Sequence, residues 1–149
     1  MSSFPASPTL YVPSDEERTY ALLSHILGII SGFIAPLVFF LMKRDSKFVS
    51  FHALQGLLWH AIYLALVLAG IILAFVAFFL TAGFHALENN KEPPVAFLVL
   101  FGAVWLGAMA GGILNLILGI VYGVKAQKGE WARYPLIGQW VFNKVVINS

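Results

Sequence analysis

The stretch that decides the fold is residues 95–124, which read VAFLVLFGAVWLGAMAGGILNLILGIVYGV. This stretch contains no charged residue and no proline. As an α-helix it would be about 45 Å long, at about 1.5 Å of rise per residue. The hydrocarbon core of a bilayer is about 30 Å thick, so the segment can cross it with a strong tilt. The stretch therefore predicts a transmembrane helix.

The composition of the whole chain agrees with a membrane protein. Of its 149 residues, 60% are hydrophobic and 11% are charged, whereas about a quarter are charged in an ordinary soluble domain. The absence of cysteine excludes disulfide scaffolds, thiolate metal sites and cysteine nucleophiles. A net charge of +2 gives no support to nucleic-acid binding.

Two further uncharged stretches, 21–42 and 57–84, predict two more spans. Pro36 lies inside the first stretch and lacks a backbone N–H, so we expect a kink there. Within residues 130–149, the apolar stretch 136–147 is too short to cross a membrane. We therefore expect this segment at the interface or against the helices. The sequence thus predicts an all-α integral membrane protein, a three-transmembrane-helix bundle with a short interfacial amphipathic C-terminal segment. We expect residues 1–14 to be a disordered tail and residues 15–149 to form one membrane domain.

The distribution of Lys and Arg predicts the orientation. With three spans, the first loop and the C-terminal tail share a side and hold seven of the nine basic residues. The other side holds only Arg18 and Lys91. Because cytoplasmic loops carry the excess of Lys and Arg, we expect the N-terminus outside and the C-terminus in the cytoplasm.

The third predicted span carries small or polar residues at strict four-residue spacing. This small-residue row consists of Ala103, Gly107, Gly111, Asn115, Gly119 and Gly123. Gly28 and Gly32 form a G-x-x-x-G pair in the first span. Helices in lipid gain little hydrophobic drive to associate, and small residues let their backbones approach closely. We expect these residues to form a helix-packing seam within the chain; a seam between copies in a homo-oligomer is the alternative.

Three polar residues, His25, His60 and Asn115, are predicted to lie within the membrane. His60 and Asn115 fall at similar depth by helical rise, so a hydrogen bond between them is feasible. The alternatives are a neutral histidine and an asparagine satisfied by neighbours or backbone, or a polar funnel open to the cytoplasm.

The motifs of enzymes are absent from the sequence. The predicted spans contain no Asp or Glu, and there is no G-x-S-x-G or H-E-x-x-H motif. The four histidines lack metal-ligand spacing, and the glycines lie in apolar helix rather than in phosphate-binding loops. We therefore expect no catalytic residues, no cofactor and no metal.

The segment FHALQG, residues 51–56, follows a short basic loop and resembles the F-H-A-x-Q signature of a family of small bacterial membrane proteins of unknown function. The motif LLSHILG at residues 22–28 and the pair Tyr134-Pro135 also resemble that family. At lower similarity, the chain resembles the twenty-kilodalton membrane subunit of the chloroplast inner-envelope protein-import translocon. The resemblance implies a multi-pass protein of the bacterial cytoplasmic membrane without catalytic residues.

A candidate interaction face lies at the beginning of the second predicted span. His52, Gln55 and Trp59 share one side of that helix at three- and four-residue spacing. This face could bind the tail through Tyr134 and Pro135, or a lipid headgroup, or a partner protein; tail docking is our first expectation. Basic residues expected to attract anionic lipid surround it: Lys43, Arg44, Lys47, Lys125, Lys128 and Arg133.

These features together predict a non-enzymatic membrane subunit or scaffold. Its expected partners are the lipid bilayer, anionic lipids, and an unknown membrane or cytoplasmic protein. The alternative is an oligomeric channel or a component of a protein-translocation complex, in which several copies would surround a pore.

Overall fold

The computed structural model describes residues 11–87, apart from the side chains of 84–86, and residues 95–147. Its elements are α1 (Asp15–Ser31), α2 (Ile34–Met42), α3 (Lys47–Leu87), α4 (Val95–Gln127), α5 (Gly138–Phe142) and a short π-helix (Asn143–Ile147). No strand occurs in these ranges, which confirms the all-helical prediction for them. Two helices, α3 and α4, are long and apolar enough to cross a membrane.

Helix α1 begins at Asp15 because Ser14 caps it. Ser14 Oγ accepts a hydrogen bond from the Glu17 backbone N–H at 3.2 Å, and the Glu17 carboxylate accepts one from the Ser14 N–H at 2.8 Å. This reciprocal pair satisfies two of the amide groups that a helix start leaves unbonded.

The prediction that residues 21–42 cross the membrane as one helix is wrong, because the chain folds back at Gly32. Gly32 has a φ of 63°, a left-handed conformation that glycine adopts without steric strain. Lys43 Nζ, just after α2, lies 2.9 Å from Glu16 Oε1 in the first turn of α1. A straight helix would separate these residues by about 40 Å. We call α1 and α2 together the helical hairpin.

Pro36 packs the helical hairpin against α3 and does not produce the expected kink. It is the third residue of α2, where a backbone N–H has no intrahelical acceptor, so its missing donor costs nothing. A Cβ atom added to Gly28 of α1 would lie 3.2 Å from Pro36 Cγ, and one added to Gly56 of α3 would lie 3.3 Å from it. The two glycines therefore let three helices meet around one proline ring.

Part of the small-residue row lies at close helix contacts. A Cβ atom at Gly119 would lie 2.6 Å from Ile29 of α1, and one at Gly123 would lie 3.1 Å from Leu22. Gly111 lies against the ring of Tyr63 in α3, whose Cε2 would be 2.5 Å from an added Cβ. The Tyr63 hydroxyl donates to the backbone carbonyl of Ala108 at 2.8 Å, which links α3 to α4.

Other residues of the predicted seam do not pack. Ala103 and Gly107 are exposed, and no atom of the described part of the chain lies within 4 Å of a Cβ built at Gly107. Gly32 forms the turn of the helical hairpin, and nothing described lies within 4 Å of its added Cβ either. The hairpin ends before it reaches the first half of α4, so among the described elements that half has only α3 beside it.

The N-terminal segment, the loop after α2 and the C-terminal tail meet at one end of the α3–α4 pair, which we call the polar end. The Tyr11 hydroxyl lies 3.5 Å from Ser46 Oγ, and its ring meets Trp131 at a centroid distance of 6.0 Å. The predicted placement of the N-terminus opposite the first loop is therefore wrong, because the hairpin returns the chain to its starting side. Residues 1–10 of the predicted disordered tail lie outside the described residues.

The tail packs against the first turns of α3. Val141 and Phe142 are buried and contact Phe51, with the two phenyl rings 5.6 Å apart between centroids. Trp140 stays 56% exposed on the other side of α5. Of the two positions expected for the tail, the described residues occupy the one against the helices.

Candidate functional site

A chain of hydrogen bonds runs through the buried interior of the polar end. The Tyr134 hydroxyl lies 3.0 Å from His25 Nδ1, and His25 Nε2 lies 3.1 Å from His52 Nδ1. His52 Nε2 lies 3.1 Å from the backbone carbonyl oxygen of Glu130. Tyr134, His25 and His52 are each at most 4% exposed, so water does not compete for the bonds among their side chains. The bond to the Glu130 carbonyl is part-buried.

The carbonyl of Glu130 sets the direction of this chain. A carbonyl only accepts, so His52 carries its proton on Nε2 and accepts at Nδ1. His25 then donates from Nε2 and accepts at Nδ1 from the Tyr134 hydroxyl. Burial raises the pKa of Tyr134, which keeps the phenol protonated and able to donate. All four ring nitrogens are thus paired while both histidines are neutral.

The three side chains come from three separate parts of the fold. His25 belongs to α1, His52 to α3 and Tyr134 to the tail. The sequence places His52 and Tyr134 on one candidate face but assigns His25 to the interior of a separate span. The helical hairpin explains the difference, because it holds α1 beside the first turns of α3.

The side chain of Gln55 binds backbone groups of the tail. Its side-chain carbonyl accepts from the Tyr134 N–H at 2.7 Å, and its amide donates to the Ala132 carbonyl at 3.2 Å. Gln55 is fully buried, and both ends of its amide are used. A Cβ atom at Gly138 would lie 2.6 Å from Gln55 Oε1 and 2.7 Å from the backbone of Arg133, so only glycine fits this turn.

Trp131, which is not among the predicted site residues, is the centre of an aromatic cluster beside the hydrogen-bonded chain. Its ring lies 5.1 Å from Phe48, 5.5 Å from Phe51 and 6.0 Å from Phe142, between centroids. These edge-to-face and tilted contacts are the arrangements that aromatic quadrupoles favour. The density of aromatic residues in 48–51 and 131–142 is a signal for it, but only the fold brings the two segments together.

No hydrogen bond joins His60 to Asn115, although helical rise makes one feasible, and His60 is satisfied by backbone, which was one of the alternatives. His60 Nδ1 instead donates to the Gly56 carbonyl one turn earlier, at 2.7 Å. His60 Nε2 and Trp59 Nε1 are buried atoms without a hydrogen-bond partner in the described part of the chain. Asn115 is half-buried on α4.

Trp59 lies beside the hydrogen-bonded chain, with its ring edge-to-face to that of Tyr134 at a centroid distance of 6.1 Å. It also lines an apolar groove of about 450 Å³ between α3 and α4. Leu136 lines the same groove but is 95% exposed, so Trp59 does not cover it. Leu136 has a φ of 70°, which turns the chain after the exposed Pro135. The Pro135 carbonyl accepts from the Ile137 N–H at 2.9 Å, and Gln55 binds the preceding residues instead.

The residues predicted to contact anionic lipid all lie at the polar end. Together with two further basic residues they form what we call the basic rim: Arg18, Lys43, Arg44, Lys47, Lys125, Lys128, Arg133 and Lys144. The hydrogen bond between Lys43 and Glu16 lowers the pKa of that carboxyl and raises the pKa of the lysine. Arg133 donates to Gln139 and lies over the ring of Phe142, 4.0 Å from its centroid.

The geometry of the polar end joins elements and exposes basic side chains around them. Within residues 11–87 and 95–147, apart from the side chains of 84–86, no three histidine or acidic side chains are close enough to hold a metal ion. The ring nitrogens of His25 and His52 are already hydrogen-bonded, to each other, to the Tyr134 hydroxyl and to the Glu130 carbonyl. This arrangement holds α1, α3 and the tail in one position.

Comparison with known proteins places the chain among small membrane proteins. It is 29% identical over 126 residues to a UPF0132 membrane protein of Methanocaldococcus jannaschii, with 83% of each chain covered. A second UPF0132 membrane protein, from Archaeoglobus fulgidus, is 27% identical over 123 residues, which are 83% of this chain and 89% of that protein. No solved structure matches the chain. The sequence pattern of one family matches residues 16–141, and the chain therefore belongs to the magnetosome magnetite crystal formation protein family.

Proposed function

We propose that the protein is a non-enzymatic membrane scaffold that holds both of its ends at the cytoplasmic face and binds anionic lipid there through the basic rim. The observation that carries the proposal is the position of the basic residues. Eight of the nine Lys and Arg residues belong to the segments at the polar end, and the ninth is Lys91, between α3 and α4.

This distribution supports an orientation with the polar end in the cytoplasm. Because the helical hairpin turns back, Arg18 joins the side that already holds the first loop and the tail. Positively charged segments stay on the cytoplasmic side during insertion. The asymmetry of eight to one is stronger than the asymmetry of seven to two that three spans would produce.

Labelling of single cysteines tests the orientation. Cysteines placed at Ser3, Asp45, Asn90 and Ser149 of this cysteine-free chain are expected to react with a membrane-impermeant maleimide in intact cells only at Asn90. Ser3 distinguishes the two topologies, since a three-span chain would expose it outside. Labelling at Ser3 from outside would contradict the hairpin topology, and labelling at Ser149 would contradict the orientation.

The exposed members of the basic rim support binding to anionic headgroups. Lys128 and Arg133 are exposed beside the docked tail, and Lys125 lies 5.4 Å above the ring of Tyr122. A basic residue near an anionic surface contributes about 1 kcal/mol at moderate ionic strength. Lys43 contributes less, because it already pairs with Glu16.

A charge-removal series tests lipid binding. The triple variant Lys125→Gln, Lys128→Gln, Arg133→Gln is expected to lose about 3 kcal/mol of preference for phosphatidylglycerol over phosphatidylcholine, which is more than a hundredfold in relative affinity. Quenching of tryptophan fluorescence by brominated lipids of the two types measures this preference. Lys91→Gln is the matched control and should leave the preference unchanged. Equal losses in both variants, or none in the triple variant, would refute lipid binding by the rim.

An oligomeric channel or translocation component, as in the chloroplast subunit that the chain resembles, is the second candidate. The exposed residues Ala103 and Gly107 favour it, because small residues facing lipid are suited to close contact with another copy. The molecular mass in detergent decides between the two candidates, since a pore needs several copies of so small a chain. A monomer supports the scaffold.

The family description adds a process in which such a scaffold could act, the formation of magnetite crystals in magnetosomes. We propose that the chain would act there on the membrane, through its lipid-binding polar end. The charge-removal variants test this role. If the protein contributes to crystal formation by binding lipid, cells that carry the triple variant should form altered magnetite crystals.

A further inference from the structure

The described helices differ in number between the two ends of the α3–α4 pair. Ile29, near the tip of the helical hairpin, packs on Gly119, which lies eight residues before the end of α4. That separation is about 12 Å of helix. One leaflet contributes about half of a hydrocarbon core of about 30 Å. The hairpin therefore enters the leaflet at the polar end and ends within it.

The surface of the hairpin is suited to lipid. Ile30 at its tip is 88% exposed, and Ile34 and Met42 on α2 are 56% and 66% exposed. The other side of the hairpin is closely packed on α3 and α4 through Pro36 and Gly119. A rigidly held element with an apolar outer face displaces lipid from the leaflet that it occupies.

Beyond the tip of the hairpin, the described chain consists of α3 and α4 alone. There the two helices approach closely, since a Cβ atom at Gly70 would lie 3.0 Å from Val104. Farther on, Phe78 and Phe97 meet at a centroid distance of 4.9 Å. In the part of the chain that the structure describes, four helices thus lie in the half at the polar end and two in the other half. Each helix is about 10 Å wide with its side chains.

We propose that this one-leaflet hairpin makes the protein a curvature-sensing wedge, which concentrates where the leaflet at the polar end is convex. A bent bilayer has spare area in its convex leaflet, and inclusions that enlarge one leaflet lower the cost of that bending. Insertion of apolar helices into one leaflet is sensitive to curvature for the same reason. The inference goes beyond lipid binding by the basic rim, because it depends on shape and requires no charged headgroup.

Membrane tubes pulled from giant vesicles of uncharged phosphatidylcholine test the wedge. The full-length Asp45→Cys chain, labelled at that exposed loop position, is reconstituted in both orientations. An impermeant quencher then removes the signal of molecules whose polar end faces outward. The ratio of protein to lipid fluorescence on the tube, divided by the same ratio on the vesicle, is compared before and after quenching.

Molecules with the polar end outward are expected to be enriched on the tube about twofold, equivalent to about 0.4 kcal/mol. Molecules with the polar end inward are expected to be depleted. The two orientations are the same folded protein, so each is the control for the other. Equal ratios, or enrichment of both orientations, would overturn the wedge. Because the lipid is uncharged, the lipid-binding proposal can fail while the wedge holds, and the reverse.

Discussion

Replacing Gly138 by alanine is expected to release the C-terminal tail from α3. The new Cβ atom would lie 2.7 Å from the Arg133 backbone and 2.6 Å from Gln55 Oε1. The backbone cannot move aside without breaking the bond from the Tyr134 N–H to Gln55. Overpacking of this kind costs about 1–3 kcal/mol. Each lost hydrogen bond adds about 0.5–1.5 kcal/mol.

Limited trypsin digestion in mild detergent measures the release, because the trypsin site Arg133 lies between Ala132 and Tyr134, whose backbone groups Gln55 binds. We expect much faster cleavage at Arg133 in Gly138→Ala, together with a lower midpoint of thermal unfolding. Gly83→Ala is the matched control, since nothing described lies within 4 Å of an added Cβ at that position of α3. Wild-type digestion rates in Gly138→Ala would show that the tail is not held by this turn.

The second large effect is expected from His52→Leu. This change removes the acceptor of the buried His25 N–H and the donor to the Glu130 carbonyl, whose hydrogen bond is part-buried. An unsatisfied buried polar group costs about 1–3 kcal/mol, and loss of the part-buried bond adds about 0.5–1.5 kcal/mol, so the total is about 1.5–4.5 kcal/mol. We expect the chain to unfold at much lower denaturant than the wild type, with α1 and the tail separating from α3.

His60→Leu is the control for this prediction, because it is the same substitution on the same helix. Among the described residues His60 bonds only to the Gly56 carbonyl, and its Nε2 has no described partner, so one hydrogen bond is lost instead of the two that His52→Leu removes. Denaturant titration of both variants gives the two free energies of unfolding. If His60→Leu destabilises the protein as much as His52→Leu, the hydrogen-bonded chain has no special part in joining the elements.

Two of the candidate interactions could be expected from residue spacing alone. His52 and Gln55 lie three residues apart at the beginning of α3, and an apolar tail that contains Tyr134 follows the last span. Buried polar side chains need hydrogen-bond partners, and the non-helical part of the tail offers backbone groups that can supply them. The structure pairs Gln55 with the tail at 2.7 Å. Trp59 from the same predicted face meets the Tyr134 ring at a centroid distance of 6.1 Å and also lines the apolar groove.

His25 shows where such reasoning ends. Helical rise along a spanning α1 places it in the membrane interior, away from the tail. Its contact with Tyr134 joins residues 109 positions apart and exists only because the chain reverses at Gly32. The same reversal ends the use of the small-residue row halfway along α4, since Gly107 has no hairpin beside it.

The sequence by itself determined that the chain is an apolar helical membrane protein, and two of its predicted spans, 57–84 and 95–124, lie within the long helices α3 and α4. The physical reason is that transfer of a segment into lipid is nearly a sum over its own residues, so a long uncharged run is sufficient. Only the tertiary structure decided the direction of the first apolar segment, and with it the side of the N-terminus and the partner of His25. The transfer free energy of a segment is the same whether the segment continues straight or turns back. The reversal instead depends on the positive φ of Gly32 and on Pro36 fitting between glycines of two other helices.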